Sequence, residues 1–267
     1  MPELPEVETI KRSLQSITKT RIKDLKVNRY DIIRQKDYEP EDLYGQYIAD
    51  VSRRGKYLII STGNDLNLVF HMGMSGRLYI SKDISIMENH VHIIINLDNK
   101  ENLIFQDPRR FGGIWLVQNI DSFFGTLGKE PLGKDFTNDY LFKITRNRKT
   151  AIKNLILKQE LVCGIGNIYA DEALFEAGIR PERPANSLSM DEIQNLRSAI
   201  RSVLKKSVNK RGTTFRDYRD GYNQVGSFQN YLQVYGRVNQ ICPRCGETIK
   251  KTKVGGRSSH YCENCQN

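Results

Sequence analysis

Four of the five cysteines in this 267-residue chain form two close pairs, Cys242-x₂-Cys245 and Cys262-x₂-Cys265, with sixteen residues between them. Each pair can grip one ion from a tight turn, and two such turns close a tetrahedral site of four thiolates. Zn²⁺ suits that set. With every position filled by protein, the expected ion is single and structural. An iron–sulfur centre is the alternative, although nothing else in the sequence points to electron transfer. Between the pairs lie Lys250, Lys251, Lys253 and Arg257, with Gly255-Gly256 set for a hairpin tip. A metal-built hairpin with a basic tip suits insertion into a nucleic-acid groove, and a ribbon for protein contacts is the plainer reading.

A second chemistry sits at Met1-Pro2-Glu3. Removal of Met1 ahead of a small residue leaves Pro2 as the terminus. Its secondary amine would titrate near the α-amino value of about 8, leaving a nucleophilic fraction at neutral pH. Such an amine attacks a sugar C1′ to give an iminium, and Glu3 is next to it as a proton carrier. Taken alone, a Met-Pro start is most often just a start.

The charge narrows the partners. Lys and Arg number 41 against 31 Asp and Glu, a net +10 that favours a polyanion, either nucleic acid or an anionic membrane surface. Residues 202–267 hold 12 Lys/Arg and only 4 Asp/Glu. A second run, Lys143, Arg146, Arg148, Lys149, Lys153 and Lys158, contains no acid. The two runs read as phosphate-facing surfaces. No apolar stretch of about 18 residues suggests a membrane span, and the acidic, proline-bearing start does not read as a signal peptide. Thiols paired for metal suit a reducing compartment.

These groups need elements to hold them. Val7, Ile10, Leu14 and Ile17 recur at helical spacing over residues 4–17. From about 48 to 117, short β-branched runs punctuated by Gly, Asn and Asp predict six or more strands in a sandwich. Residues 121–136, with Gly125, Gly128, Pro131 and Gly133, read as a linker. Helices are predicted at about 137–147, 150–160 and 167–177. A longer one starts at Ser189 with Glu192 as its capping box and Ile193, Leu196, Ile200 and Leu204 as its apolar face. Residues 212–226 read as a loop, and Cys163, among Leu161, Val162 and Ile165, as a buried inert thiol.

The opening Met1-Pro-Glu-Leu-Pro-Glu-Val-Glu8 resembles the start of the formamidopyrimidine-DNA glycosylase family. So do Arg53-Arg54-Gly55-Lys56-Tyr57-Leu58, His71-Met72-Gly73-Met74-Ser75-Gly76 and Asp107-Pro108-Arg109-Arg110-Phe111-Gly112. The likeness runs on through Gly164 to Glu172, Gln233-Val234-Tyr235-Gly236-Arg237 and the four cysteines, in family order. The resemblance implies an α+β multidomain protein. Its parts are an N-terminal β-sandwich with a leading helix (1–130), a helix–two-turns–helix domain (131–230) and a Cys₄ zinc-finger hairpin (231–267).

The resemblance also implies a function. Members excise 8-oxoguanine and ring-opened formamidopyrimidines from double-stranded DNA, then cut the strand by β,δ-elimination. Pro2 would be the nucleophile and Glu3 the proton donor to the opening sugar. Lys56 would serve proton donation and phosphate contact, and Arg257 would grip the phosphate beside the lesion. Met74, Arg109 and Phe111 would fill the hole left by the extruded base. Asn167 and Lys149 would contact the backbone, with Asn167 also read as an ordinary helix N-cap. Residues Thr213 to Gly226 would close over the base, with Gly221 and Gly226 allowing motion. DNA would lie across the cleft between domains, with Pro2 at its floor. The implied protein is a monomer of the bacterial cytoplasm and nucleoid, with no membrane partner.

Some positions depart from the family pattern. Lys129 stands where the family has a proline in Leu127-Gly128-Lys129-Glu130-Pro131. In Asn89-His90-Val91-His92 the register of a DNA-contacting histidine is shifted, leaving His90 or Glu88 for that place. Glu172 has a supporting role without a mechanism. Two rivals stand: an endonuclease VIII-like glycosylase of oxidised pyrimidines, disfavoured by Leu4, and a non-catalytic damaged-DNA binder.

Overall fold

Helix α1 (Leu4–Ser13) tightens into a 3-10 turn over Leu14–Ile17, and Val7, Ile10, Leu14 and Ile17 are all fully buried, the stripe their spacing predicts. The computed structural model describes residues 1–83 and 89–267. The chain divides into two compact units, Met1–Gly125 with Lys210–Gln229, and Thr126–Asn209 with Asn230–Asn267.

In the first unit α1 is followed by β1 (Ile22–Val27), β2 (Ile33–Lys36), β3 (Ile48–Arg54), β4 (Tyr57–Thr62), β5 (Asn67–His71), β6 (Arg77–Ser81), β7 (Val91–Leu97), β8 (Asn102–Gln106) and β9 (Gly113–Val117). They form a four-stranded sheet ordered β1-β7-β8-β6 and a five-stranded sheet ordered β2-β9-β5-β4-β3. Leu58, Ile60, Leu68, Phe70 and Ile114 of one sheet share a core with Leu78, Ile93, Ile95 and Phe105 of the other. The expected sandwich is therefore present, with α1 contributing to its core.

The stretch expected as a linker begins with a helix. In α2 (Ile120–Phe124), Ile120, Phe123 and Phe124 cover Tyr57, Ile59, Val69, Trp115 and Val117 on the second face of the five-stranded sheet. The sheet is thus apolar on both faces here, which is why these strands read as continuous runs and not as alternation.

Lys210–Gln229 follows the helices in sequence but clusters with the sandwich unit. The Thr213 N–H donates to Glu6 Oε1 at 2.7 Å, Arg77 Nε donates to the Asp217 carbonyl at 3.0 Å, and the Ile80 N–H to the Gly221 carbonyl at 2.9 Å. Gly221 and Gly226 are required here by close packing. A Cβ on Gly226 would lie 2.2 Å from the Gly212 carbonyl oxygen, and one on Gly221 would lie 2.8 Å from Ser13 Cβ.

The second unit holds α3 (Asn138–Thr145), α4 (Ile152–Ile156), α5 (Asn167–Ala177), α6 (Met190–Asn209) and the hairpin of β10 (Ile249–Val254) and β11 (Arg257–Cys262). The expected capping box starts α6: Ser189 N–H donates to Glu192 Oε2 at 2.8 Å, and Glu192 N–H to Ser189 Oγ at 3.2 Å. Helix α5 is buried from Ile168 to Phe175 and packs against α4, α6 and β11.

Candidate active site

Pro2 and Glu3 are buried, with Glu3 at the N-cap of α1. The Glu3 N–H donates to Glu6 Oε2 at 2.8 Å, so the first turn closes on itself. Lys56, in the β3–β4 turn, is also buried. Its cation is felt by His71 at the end of β5. Burial first, and Lys56 second, push the His71 imidazole down to about 4, against an opposing pull from Asp107. His71 Nδ1 accepts the Gly73 N–H at 3.2 Å, so the neutral ring keeps its proton on Nε2 and presents a donor.

Met74, Arg109 and Phe111 come from two loops that meet. The Ser75 hydroxyl accepts the Arg109 N–H at 3.2 Å, and the Arg109 guanidinium lies 4.9 Å from the centroid of the Phe111 ring. Met74 is 40% and Phe111 57% exposed, large apolar side chains offered to whatever docks there. His90 is exposed with φ 70°, and its carbonyl accepts the Asp107 N–H at 3.1 Å, which places its backbone against the same turn. Glu88, the alternative to His90, lies outside the described residues.

In the second unit, Asn167 is not the N-cap of α5. Gly166 is, and Asn167 opens the first turn. Its side-chain amide donates to the Ser258 carbonyl at 3.1 Å, next to Arg257 on β11. Lys153 Nζ donates to the same carbonyl at 2.7 Å. Lys153 is no phosphate-facing residue: it is fully buried and pairs with Asp171 at 2.6 Å. Asp171 in turn accepts the His260 N–H at 2.9 Å, so the hairpin is bolted to α4 and α5. The two tip glycines both have positive φ, and Gly255 packs on Asn154 of α4, so the tip is docked at its base. Arg257 itself is exposed, as is Lys149 in the turn between α3 and α4.

Glu172, left without a mechanism above, accepts three backbone N–H bonds, from Gln233 at 2.8 Å, Val234 at 2.9 Å and Tyr235 at 2.8 Å. It holds the Gln233–Tyr235 segment to α5, and burial pushes its carboxyl up against the pull of those donors. Cys163 is buried, as expected. Its thiol donates toward Glu130 at 3.3 Å.

The sulfur atoms of Cys242, Cys245, Cys262 and Cys265 all lie within 4.8 Å of one another. Cys242 and Cys265 are 3.8 Å apart, and Cys245 and Cys262 3.4 Å. Four thiolates at the usual Zn–S distance of about 2.3 Å sit about 3.8 Å from each other in a tetrahedron. The donor set therefore fits a structural zinc.

Family models cover most of the chain: the formamidopyrimidine-DNA glycosylase N-terminal domain at residues 1–114, the H2TH domain at 127–218, and the zinc finger found in FPG and IleRS at 240–267. The chain belongs to the formamidopyrimidine-DNA glycosylase family. A curated formamidopyrimidine-DNA glycosylase from Syntrophomonas wolfei is 60% identical over 267 residues, covering 100% of each chain. A variant of the Lactococcus lactis FPG protein, solved in complex with a Fapy-dG-containing DNA, superposes with a TM-score of 0.92 at 35% identity and 100% coverage of both chains. A structure of MutM with carbocyclic 8-oxo-G-containing DNA matches with the same identity, coverage and TM-score. This glycosylase is thus a bifunctional DNA glycosylase and AP lyase of base excision repair, acting on damaged purines. Among the described residues, no helix is long and apolar enough to cross a membrane.

Three residues of the glycosylase that shape the site received no role from sequence: Glu6, His71 and Asp107. All three stand inside motifs quoted above, so the signal was there. What was missing was the set of backbone amides each one faces.

Proposed function

We propose that Pro2, freed of Met1, is the nucleophile on 8-oxoguanine and formamidopyrimidine nucleotides in double-stranded DNA. The Pro2 nitrogen lone pair forms a bond to C1′ as the bond from C1′ to the base breaks. The amine proton is lost, and the departing base takes one up. Glu3, as the acid, gives its proton to O4′ while the C1′–O4′ bond opens, leaving a C1′ iminium on Pro2 and a carboxylate on Glu3. Loss of a C2′ proton then expels the 3′ phosphate, and a further elimination expels the 5′ phosphate. Water hydrolyses the remaining iminium and restores the amine.

Lys56 and Arg257 are cations for the phosphates that leave or flank the lesion. Met74, Arg109 and Phe111 occupy the gap left by the extruded base, and His90, Lys149 and Asn167 contact the DNA backbone. One zinc ion, held by Cys242, Cys245, Cys262 and Cys265, keeps Arg257 in place without taking part in the chemistry. The enzyme acts as a monomer in the bacterial cytoplasm.

The observation that carries this reading is the buried Glu3 side chain, 2% exposed, adjoining a buried Pro2 at the start of a capped helix. An acid kept from water beside a secondary amine suits iminium formation. The solved relatives bound to Fapy-dG and 8-oxo-G DNA support the substrate class.

Borohydride reduction on a duplex with one 8-oxoguanine opposite cytosine tests it. The expected product is a covalent adduct that mass spectrometry locates on Pro2, with Met1 absent. Binding without an adduct would overturn the mechanism, and an adduct on a lysine would move the nucleophile.

A further inference from the structure

Asp107 is fully buried, and it is bonded on every side. Its Oδ1 accepts the Ser75 hydroxyl at 2.6 Å and the Arg109 N–H at 3.3 Å, and its Oδ2 accepts the Gly112 N–H at 2.8 Å. Its own N–H donates to the His90 carbonyl at 3.1 Å. Its carbonyl accepts the His92 Nε2–H at 2.8 Å. One residue thereby joins the Met74 loop, the Arg109–Phe111 turn and the start of β7.

The two loops touch backbone to backbone. Gly73 has φ 55°, and a Cβ there would lie 2.4 Å from Phe111 C and Gly112 N. From the other side, Arg34 Nη2 donates to the carbonyls of Arg110 at 3.1 Å and Gly112 at 3.0 Å. The exposed side chains of Met74 and Phe111 thus stand on a base held from within by a carboxylate and from outside by a guanidinium.

We infer that Asp107 is the positioning residue that sets Met74, Arg109 and Phe111 as one pre-ordered wedge, so that it governs base extrusion and not bond breaking at C1′. This rests on the void-filling role given to those three side chains above. A wedge must displace a stacked base, and ordering its loops in the same step would slow that step. Preorganisation removes that requirement. The carboxylate suits the task because both oxygens only accept, and Ser75, Arg109 and Gly112 all present donors. An asparagine would set an NH₂ donor against at least one of them.

The test compares wild type with Asp107→Asn, Arg34→Met and Phe111→Ala, the last as the benchmark for a lost wedge. Three quantities are read. They are single-turnover excision of 8-oxoguanine opposite cytosine, strand cleavage at a preformed abasic site in a single-stranded oligonucleotide, and unstacking of a 2-aminopurine beside the lesion. For D107N, excision and the 2-aminopurine signal are expected to fall about tenfold or more. For D107N, cleavage at the single-stranded abasic site is expected to stay within about twofold, while F111A is expected to lose excision on the duplex. Equal losses on both substrates, or undiminished excision, would overturn the inference. If D107N does not fold, R34M decides by the same split, since Arg34 is an exposed residue whose loss removes two bonds to the turn. Absent excision and absent borohydride adduct in wild type would instead sink the proposed function. A neutral F111A would sink the wedge reading on which this inference stands.

Discussion

The Glu6 carboxylate accepts the Thr213 N–H at 2.7 Å through Oε1, across 207 residues of sequence, while its Oε2 accepts the Glu3 N–H at 2.8 Å. One buried side chain therefore ties the first turn, with Pro2 and Glu3, to the start of the 213–226 loop. Glu6→Gln would replace one acceptor by a donor facing an N–H. A loss of about 1–3 kcal/mol is expected in urea unfolding. Faster proteolytic cleavage within 213–226 would show that the loop has come loose, and unchanged cleavage would show that Glu6 does not hold it.

His71 should carry a pH signature. Its folded value of about 4 lies below the ordinary imidazole value of 6.5. As pH falls through 6.5 the unfolded chain takes up the proton and the folded one does not. The stability from this group is complete above 6.5 and is lost by at most about 1.4 kcal/mol per pH unit down toward 4. His71→Gln should flatten that slope, and the wild-type ring should show no NMR titration between pH 5 and 8.

Lys153→Met leaves Asp171 buried beside His260 without its cation. Breaking one partner of such a pair costs about 3–5 kcal/mol. DNA affinity should fall with it, because the Ser258 carbonyl loses the Lys153 bond. A salt titration of binding would separate this from a phosphate contact. Loss of a direct contact lowers the slope by about one, whereas loss of a buried bolt leaves the slope and weakens affinity.

Phe111→Ala should be thermodynamically silent. The ring is 57% exposed, so a change within about 0.5 kcal/mol is expected by thermal melting. A large destabilisation would show that the Phe111 ring is packed as a core residue.

Chelation of the metal should loosen the β10–β11 hairpin, because Cys242 and Cys262 share a cluster with Phe175, Val234 and Ile249. Hydrogen exchange should rise at residues 249–262 and leave β4, β5 and β9 protected. Uniform protection after zinc loss would show that the hairpin stands without metal.

Much of the fold was legible because local pattern and packing agree. The Val7, Ile10, Leu14 and Ile17 stripe, the Ser189–Glu192 box and the cysteine spacing each state their element directly. Strands β4, β5, β7, β8 and β9 were legible as well, since consecutive buried positions leave unbroken apolar runs, and β6 was legible from its short Leu78-Tyr79-Ile80 run. β1 was not. Its residues bury every third position across a bulge, so neither two-fold nor helical period shows. β2 is a polar edge strand paired in parallel with β9, and only that pairing makes it a strand. α2 hides in a Gly-rich stretch because its apolar face answers Tyr57 and Trp115, distant in sequence. The same limit applied to the site. Residue types and motifs were readable, whereas Glu6, Asp107 and Glu172 act by gathering backbone N–H groups, and a sequence does not display where those converge. Lys153 was misread for a related reason: its counter-charge, Asp171, lies eighteen positions on.

Asn167 and Lys153 both address residue 258 through its main-chain oxygen. Neither bond depends on which side chain stands there. Drift at residue 258 would therefore leave Arg257 anchored, so long as the new residue keeps to the strand. Among relatives of this enzyme, variation at that position should carry little information about activity, while exchange of Asn167 or Lys153 should be felt one residue away, at Arg257.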